Sequence, residues 1–178
     1  VVHVGAQQAR GREEAVCNCV EGLKQALRAL DQEDLGHIAI CPETMGKQAQ
    51  IGNLSETLSF CIEESRLIPC IDFAHIHALG IGCLNQKEDF TAVLDRIEEA
   101  IGLPRAQRIH IHFSSIEYTS KGEKRHRTFA EAEYGPRFEC LAPLLAERKY
   151  DPVVICECSG TQVEDALSMK HLYEELCS

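Results

Sequence analysis

The stretch "PCIDFAHIHA", residues 69–78, closes an apolar run on an aspartate and follows it with His75 and His77. Such a run reads as a buried strand, and buried strands do not ordinarily finish in ionisable groups unless something at the tip uses them. The same arrangement returns along the chain. His3 lies in the opening "VVHVG", Glu43 closes "GHIAICPE", His110 and His112 alternate with isoleucines in "RIHIHFS", and Glu157 stands inside "VVICECS". Oxygen and nitrogen donors of these types, without thiolates, suit Zn²⁺ or Mn²⁺ in an open, catalytic setting. A carboxylate able to bridge two ions points to a multi-metal hydrolase, where one ion makes hydroxide and another steadies the leaving oxygen.

Each residue taken singly also has a bland reading. His3 can be a solvated terminal residue and Glu43, after Pro42, a loop carboxylate. His110 and His112 share one side of their strand by the period of two; the deeper His110 reads as a satisfied interior histidine, and His112, nearer the tip, as the ligand. Glu157 points opposite to Cys156 and Cys158, and a carboxylate in that apolar run is costly to bury unless it meets a cation. Asp72 and His75 leave a strand three residues apart, so they need not reach the same ion. His37 and His171 read as surface groups. Recurrence at the same end of five strands is what gives the set weight.

The elements that must position these groups alternate. Strands are expected at 1–5, 36–43, 67–72, 108–114 and 152–159, with helices over 7–30, 53–65, 87–102, 137–148 and 162–176. Asn53 with Glu56 three residues on forms a capping box, and Gly102 is a helix-ending glycine. Pro69 weakens the third strand, and Pro143 sits inside a helix pattern. Strands interleaved with helices mean a parallel sheet and an α/β fold, which builds its sites at the carboxyl ends of the strands. No GxGxxG follows the first strand and no P-loop is present.

The 178 residues, 44% hydrophobic and 26% charged, fit a single domain spanning 1–178. No run of about 18 apolar residues predicts a membrane span, and the N-terminus has no signal-peptide pattern. The chain opens on strand-like residues without Met, which places its expected beginning elsewhere. Cys41, Cys70 and Cys156 lie in apolar runs and no CxxC pair occurs, so the ten cysteines read as those of a reduced, cytoplasmic protein. The net charge of −10 argues against a broad grip on nucleic acid, but "KGEKRHR" (121–127) is a local basic run, if not simply a solvated loop.

"CPETMGK…IGN", "CIDFAHIHA", "IHIHFSS", a basic loop with His126 and "VVICECSG" together resemble the endonuclease IV family of apurinic/apyrimidinic endonucleases, within the xylose-isomerase-like (βα)₈ TIM barrels. The likeness covers nearly the whole chain, as the last five βα units (strands 4–8) of such a barrel. It implies two or three zinc ions. Glu43 would bridge two of them and act as the catalytic carboxylate that positions or deprotonates the attacking water. Asp72, His112 and Glu157 would complete one ion, His3 would serve the other with Glu43, and His75 and His126 would hold a third. It also implies cleavage of double-stranded DNA 5′ to abasic sites by metal-activated hydroxide. Lys121, Lys124, Arg125 and Arg127 would meet the phosphates, and no obligate protein partner is implied.

Two features depart from the family. A full barrel of this type needs about 250 residues and eight strands, and five strands leave two parallel edges unpaired. The family's third-ion loop reads Asp-x-His, whereas this chain has Lys124 at the acidic position and Glu123 beside it. Two other readings follow: a sugar isomerase or epimerase of the same barrel group, which has no need of His75 and His126 as a third pair, or a non-catalytic relative that binds DNA or a partner.

Overall fold

The computed structural model describes residues 1–177. In chain order it comprises β1 (Gly5–Ala6), α1 (Arg12–Gln32), β2 (Gln50–Ile51), α2 (Leu54–Glu63), β3 (Cys70–Asp72), α3 (Phe73–Leu79), α4 (Lys87–Ile101), α5 (Leu103–Ala106), β4 (His110–Phe113), β5 (Ser115–Thr119), β6 (Gly122–Arg127), α6 (Phe138–Glu147), β7 (Val153–Cys156) and α7 (Gln162–Leu176).

A parallel sheet in the order β3-β4-β7 forms the floor of the molecule. Two further extended segments continue it through single parallel bridges, Val2 with Pro42 and Glu43 with Cys70. Three of the five expected strands thus form the parallel sheet, while the first two are reduced to bridged segments held by few bonds, such as Glu43 N–H to the Val2 carbonyl (3.1 Å) and Cys70 N–H to the Pro42 carbonyl (2.9 Å). Pro42 has no N–H to give a ladder, which accounts for the shortness of the predicted 36–43 strand. The result is a partial barrel whose sheet stays open among the described residues. Val153 and Ile155 on β7 remain 56% and 44% exposed on the side that looks into the barrel.

Behind the sheet lies the core. Ile109, Ile111 and Phe113 are fully buried, and Phe113 packs its ring against Phe73, Phe129 and Phe138 at centroid distances of 6.2, 6.1 and 5.1 Å. Helix α4 lays Phe90, Val93, Leu94, Ile97 and Ile101 into that core at helical spacing and stops at Gly102, whose φ of +78° suits glycine. The expected capping box starts α2, with Glu56 N–H donating to Asn53 Oδ1 at 3.0 Å. Arg12 then clamps Glu56 with two bonds of 2.7 Å, tying α1 to α2.

Several boundaries differ from the pattern reading. Helix α1 starts at Arg12 rather than Gln7, because Gly5–Ala6 pairs antiparallel with Gln50–Ile51. The basic run 121–127 is not a solvated loop but largely β6, hairpin partner of β5. Helix α3, seven residues long, begins directly after Asp72. All ten cysteines are free, and among the described residues no helix is long and apolar enough to cross a membrane.

Candidate metal centre

The carboxyl ends of the sheet strands carry the polar groups. Asp72 and His112 are register partners on β3 and β4, and Glu157 follows β7 with its N–H on the Phe113 carbonyl (3.0 Å). Glu43 stands beside Cys70 through its bridge. Donor atoms of Glu43, Asp72, His112 and Glu157 all lie within 4.8 Å of one another, as do those of Asp72, His75 and His126. Asp72 belongs to both groups.

Glu43 is the hub. It is 2% exposed, yet its carboxylate meets three imidazoles: Oε1 lies 3.2 Å from His112 Nδ1 and 3.3 Å from His75 Nδ1, and Oε2 lies 3.1 Å from His3 Nε2. His3 itself is exposed. Burial pushes the Glu43 carboxyl up, but hydrogen bonds with His112 and His75 outweigh it and hold the group well below the ordinary range. A carboxyl kept ionised in this way is a ligand and an orienting group rather than a strong base.

Asp72 does the opposite. It caps α3 through Oδ1, which accepts His75 N–H at 2.7 Å, while Oδ2 is buried with no hydrogen-bond partner. Burial raises its pKa to about 7, against the pull of His75. Oδ2 lies 3.4 Å from His75 Nδ1 but accepts no hydrogen bond, which is costly for a buried carboxylate, and its position between two donor groups suits a cation. Mixed carboxylate and imidazole donors at this density fit zinc or manganese. The residues present therefore fit the metals expected from the sequence.

The histidines are oriented by outer partners. His75 Nδ1 lies 2.9 Å from the Thr44 carbonyl, an acceptor only, so Nδ1 carries the hydrogen and Nε2 presents its lone pair in the neutral ring. His126 Nδ1 meets Ser114 Oγ at 2.6 Å, and its ring stands edge-on to His75 with centroids 5.1 Å apart. His112 Nδ1 lies 3.0 Å from Glu157 Oε1. Burial lowers the pKa of His75, but Asp72, Glu43 and Glu123 raise it on balance to about 9. His112 is likewise raised to about 12 against its burial, by Cys70, Glu157 and Glu43. Burial, with the nearby His75, pushes His126 down.

Glu123 reaches the second group in place of Lys124. Its Oε2 lies 3.5 Å from His75 Nε2, and its N–H donates to the Gly46 carbonyl at 2.8 Å. A Cβ at Gly46 would sit 2.7 Å from that of Glu123 and 2.9 Å from the His75 ring, so glycine is required for this approach. Lys124 turns outward to Glu117. Arg125 and Arg127 converge on the same carboxylate, and Arg127 also meets Glu131 (2.6 Å) and stacks on Tyr134 (4.7 Å). Three of the four basic residues expected on phosphate are thus lined up on one face by Glu117; Lys121 is exposed at the hairpin turn.

His110 has a buried Nε2 with no partner and is half-exposed, so it is not the satisfied interior histidine expected. His37 and His171 are exposed, as expected. Thr44 and Ser114 escaped the sequence reading. Each directly neighbours a strand-end motif, which was the one available signal. Thr44 Oγ1 accepts Asp72 N–H at 2.8 Å and so fixes the aspartate backbone.

A parallel barrel-type sheet with such a donor set at its carboxyl ends defines a class. Residues 1–175 match the family model described as xylose isomerase-like TIM barrel, and the chain belongs to that family. Its likeness within the family is to endonuclease IV. It is 34% identical over 176 residues to an uncharacterized protein of Methanocaldococcus jannaschii, covering 99% of this chain and 63% of the relative. It is 34% identical over 122 residues to a probable endonuclease 4 of Oceanobacillus iheyensis (66% of this chain, 38% of the relative). A probable endonuclease 4 of Shouchella clausii is 32% identical over 140 residues (76% and 45%). The crystal structure of endonuclease IV from Thermus thermophilus superposes with a TM-score of 0.62 at 20% identity, over 90% of this chain and 58% of that one, and shares the fold. The chain thus spans less than two thirds of the length of these relatives.

Proposed function

We propose that this chain carries the metal centre of a DNA-repair phosphodiesterase of the endonuclease IV type, cleaving double-stranded DNA 5′ to abasic sites. One observation carries the reading most: two donor groups, one rich in carboxylates and one built on His75 and His126, meet at a shared, partly unsatisfied Asp72. A sugar isomerase or epimerase of this barrel group, working with one or two ions, has no need of the His75–His126 pair. The curated relatives named probable endonuclease 4 support the same assignment.

His3, Glu43, Asp72, His75, His112, His126 and Glu157 would hold zinc or manganese, which when bound would supply Lewis-acid chemistry for water ionisation and for the charge on the phosphate. The residues of the chain supply the rest. Glu43, kept ionised by its imidazole partners, orients the water that attacks phosphorus. Thr44 and Ser114 fix the two histidines of the second group so that their Nε2 atoms face the reaction centre. Lys124, Arg125 and Arg127, spaced along one hairpin beside the centre, meet the DNA phosphates together with Lys121. With a net charge of −10 over the whole chain to oppose DNA, binding is local and salt-sensitive. The free cysteines suit work in a reducing cytoplasm.

The test pairs metal content with nicking. Plasma mass spectrometry on the full-length protein should find two or three tightly held zinc ions, and a duplex with a single abasic analogue should be cut on its 5′ side. Glu43→Gln should lose metal and lower cleavage by about a thousandfold or more. One exchangeable ion and no nicking refute the reading and favour a sugar-metabolising barrel.

A further inference from the structure

We propose a second, thiolate-based zinc site, formed by Cys156, Cys158 and Asp165 where β7 turns into α7. It goes beyond the function proposed above and stands independently of it. Cys156 and Cys158 flank Glu157 but point the other way, off the barrel side and toward the helices, and they are 8% and 0% exposed. The chain then reverses at Gly160 (φ +99°), bringing the first turns of α7 back over the strand. Asp165, 8% exposed, thereby faces the two sulfurs, and the three donor atoms lie within 4.8 Å of one another.

This is an unusual use of core space. The helix-facing side of a parallel strand ordinarily takes branched aliphatics, as Val154 does on β7. Here two consecutive inward positions carry thiols against a buried carboxylate. The carboxylate is held in place from behind, because Asp165 Oδ2 accepts Thr161 Oγ1–H at 2.6 Å and Phe129 N–H at 3.3 Å. Two soft sulfur donors with one oxygen, all oriented before any ion arrives, select zinc over magnesium or calcium. Binding deprotonates both thiols and releases the protons to solvent. The first turn of α7 partly offsets the remaining negative charge.

Its role is structural. A zinc ion gripping residues 156 and 158 clamps the backbone on both sides of Glu157, whose carboxylate faces the opposite way, 3.0 Å from His112. The site would set the aim of a ligand of the first centre without touching it.

Sulfur tells the two centres apart, since the His/carboxylate set contains none. X-ray absorption on the full-length wild-type protein, loaded with zinc under a non-chelating reductant, should show sulfur scatterers at about 2.3 Å. Cobalt-substituted protein should show thiolate-to-cobalt charge-transfer absorption. Cys158→Ser should remove both signals and one equivalent of zinc, while nitrogen and oxygen scattering stays. Asp165→Asn, which keeps both sulfurs, should weaken zinc binding at this site by about tenfold or more. Nitrogen and oxygen scattering alone at full zinc loading overturns the proposal, and that wild-type result does not depend on any variant folding. A sulfur signal that survives Cys158→Ser and vanishes in Cys70→Ser also overturns it, by assigning the thiolate to Cys70 beside His112.

Discussion

Replacing Asp72 by asparagine separates what the centre needs for metal from what the fold needs for stability. Asparagine keeps the acceptor that caps α3 and is itself a good N-cap, so the Asp72 Oδ1 bond to His75 N–H has a substitute. What disappears is a buried carboxylate with one unsatisfied oxygen. A carboxyl raised from 3.8 to about 7 contributes stability that is complete below pH 3.8 and is lost as pH rises through about 7. Ionised at pH 8, that group costs the metal-free protein at most about 4 kcal/mol. That figure already includes the attraction of His75, and part of the gain is offset because asparagine still buries a polar amide. The net expectation is a metal-free protein more stable by about 1–3 kcal/mol at pH 8, or about 3–9 °C in Tm. The difference should shrink toward zero near pH 4. Thermal melts of the full-length protein with a chelator, at pH 4 and pH 8, measure this directly. Saturating zinc should reverse the order, since only the wild type gains the binding term. An asparagine variant less stable than wild type at pH 8 without metal, or equal stabilisation of both proteins by zinc, would refute the reasoning.

Other outcomes follow from the same geometry. His75, raised to about 9 without metal, lends stability that is complete below pH 6.5 and fades as pH rises through about 9. Zinc must displace its proton, so affinity should climb across that window with about one proton released per ion, which calorimetry in buffers of differing ionisation enthalpy can count. Glu117 gathers Lys124, Arg125 and Arg127 and is itself held to a pKa of about 2 by Lys124 and Arg127. Glu117→Gln should therefore tighten binding to undamaged duplex a few-fold at low salt and steepen the salt slope by about 1, as read by fluorescence anisotropy. Phe113→Ala removes a ring packed on three other aromatics and should cost about 3–5 kcal/mol in urea unfolding, with no change in which groups line the centre.

The amino-acid sequence by itself determined the donor types, their order, and the strand–helix alternation that puts them at one end of a sheet. Periodicity suffices for this, because strand and helix repeats are local properties. It also determined the capping box at Asn53 and the stop at Gly102, since both depend on residues within one turn. Only the tertiary structure decided how the donors divide into groups. His75 joins the centre because Asp72 is at once the end of β3 and the cap of α3, so the chain turns back within three residues. No apolar period extends over so short a helix to announce it. The choice of Glu123 over Lys124 was equally non-local. Glu117 pairs with Arg125 and Tyr118 with Glu123, which leaves Lys124 as the extra residue of a register shift. Alternation breaks at that point, so a period of two could not say which side chain faces the metal groups. The fixed aim of Asp72 and His126 likewise came from Thr44 and Ser114, on neighbouring elements. Hydrogen bonds of that kind exist only once the strands are side by side.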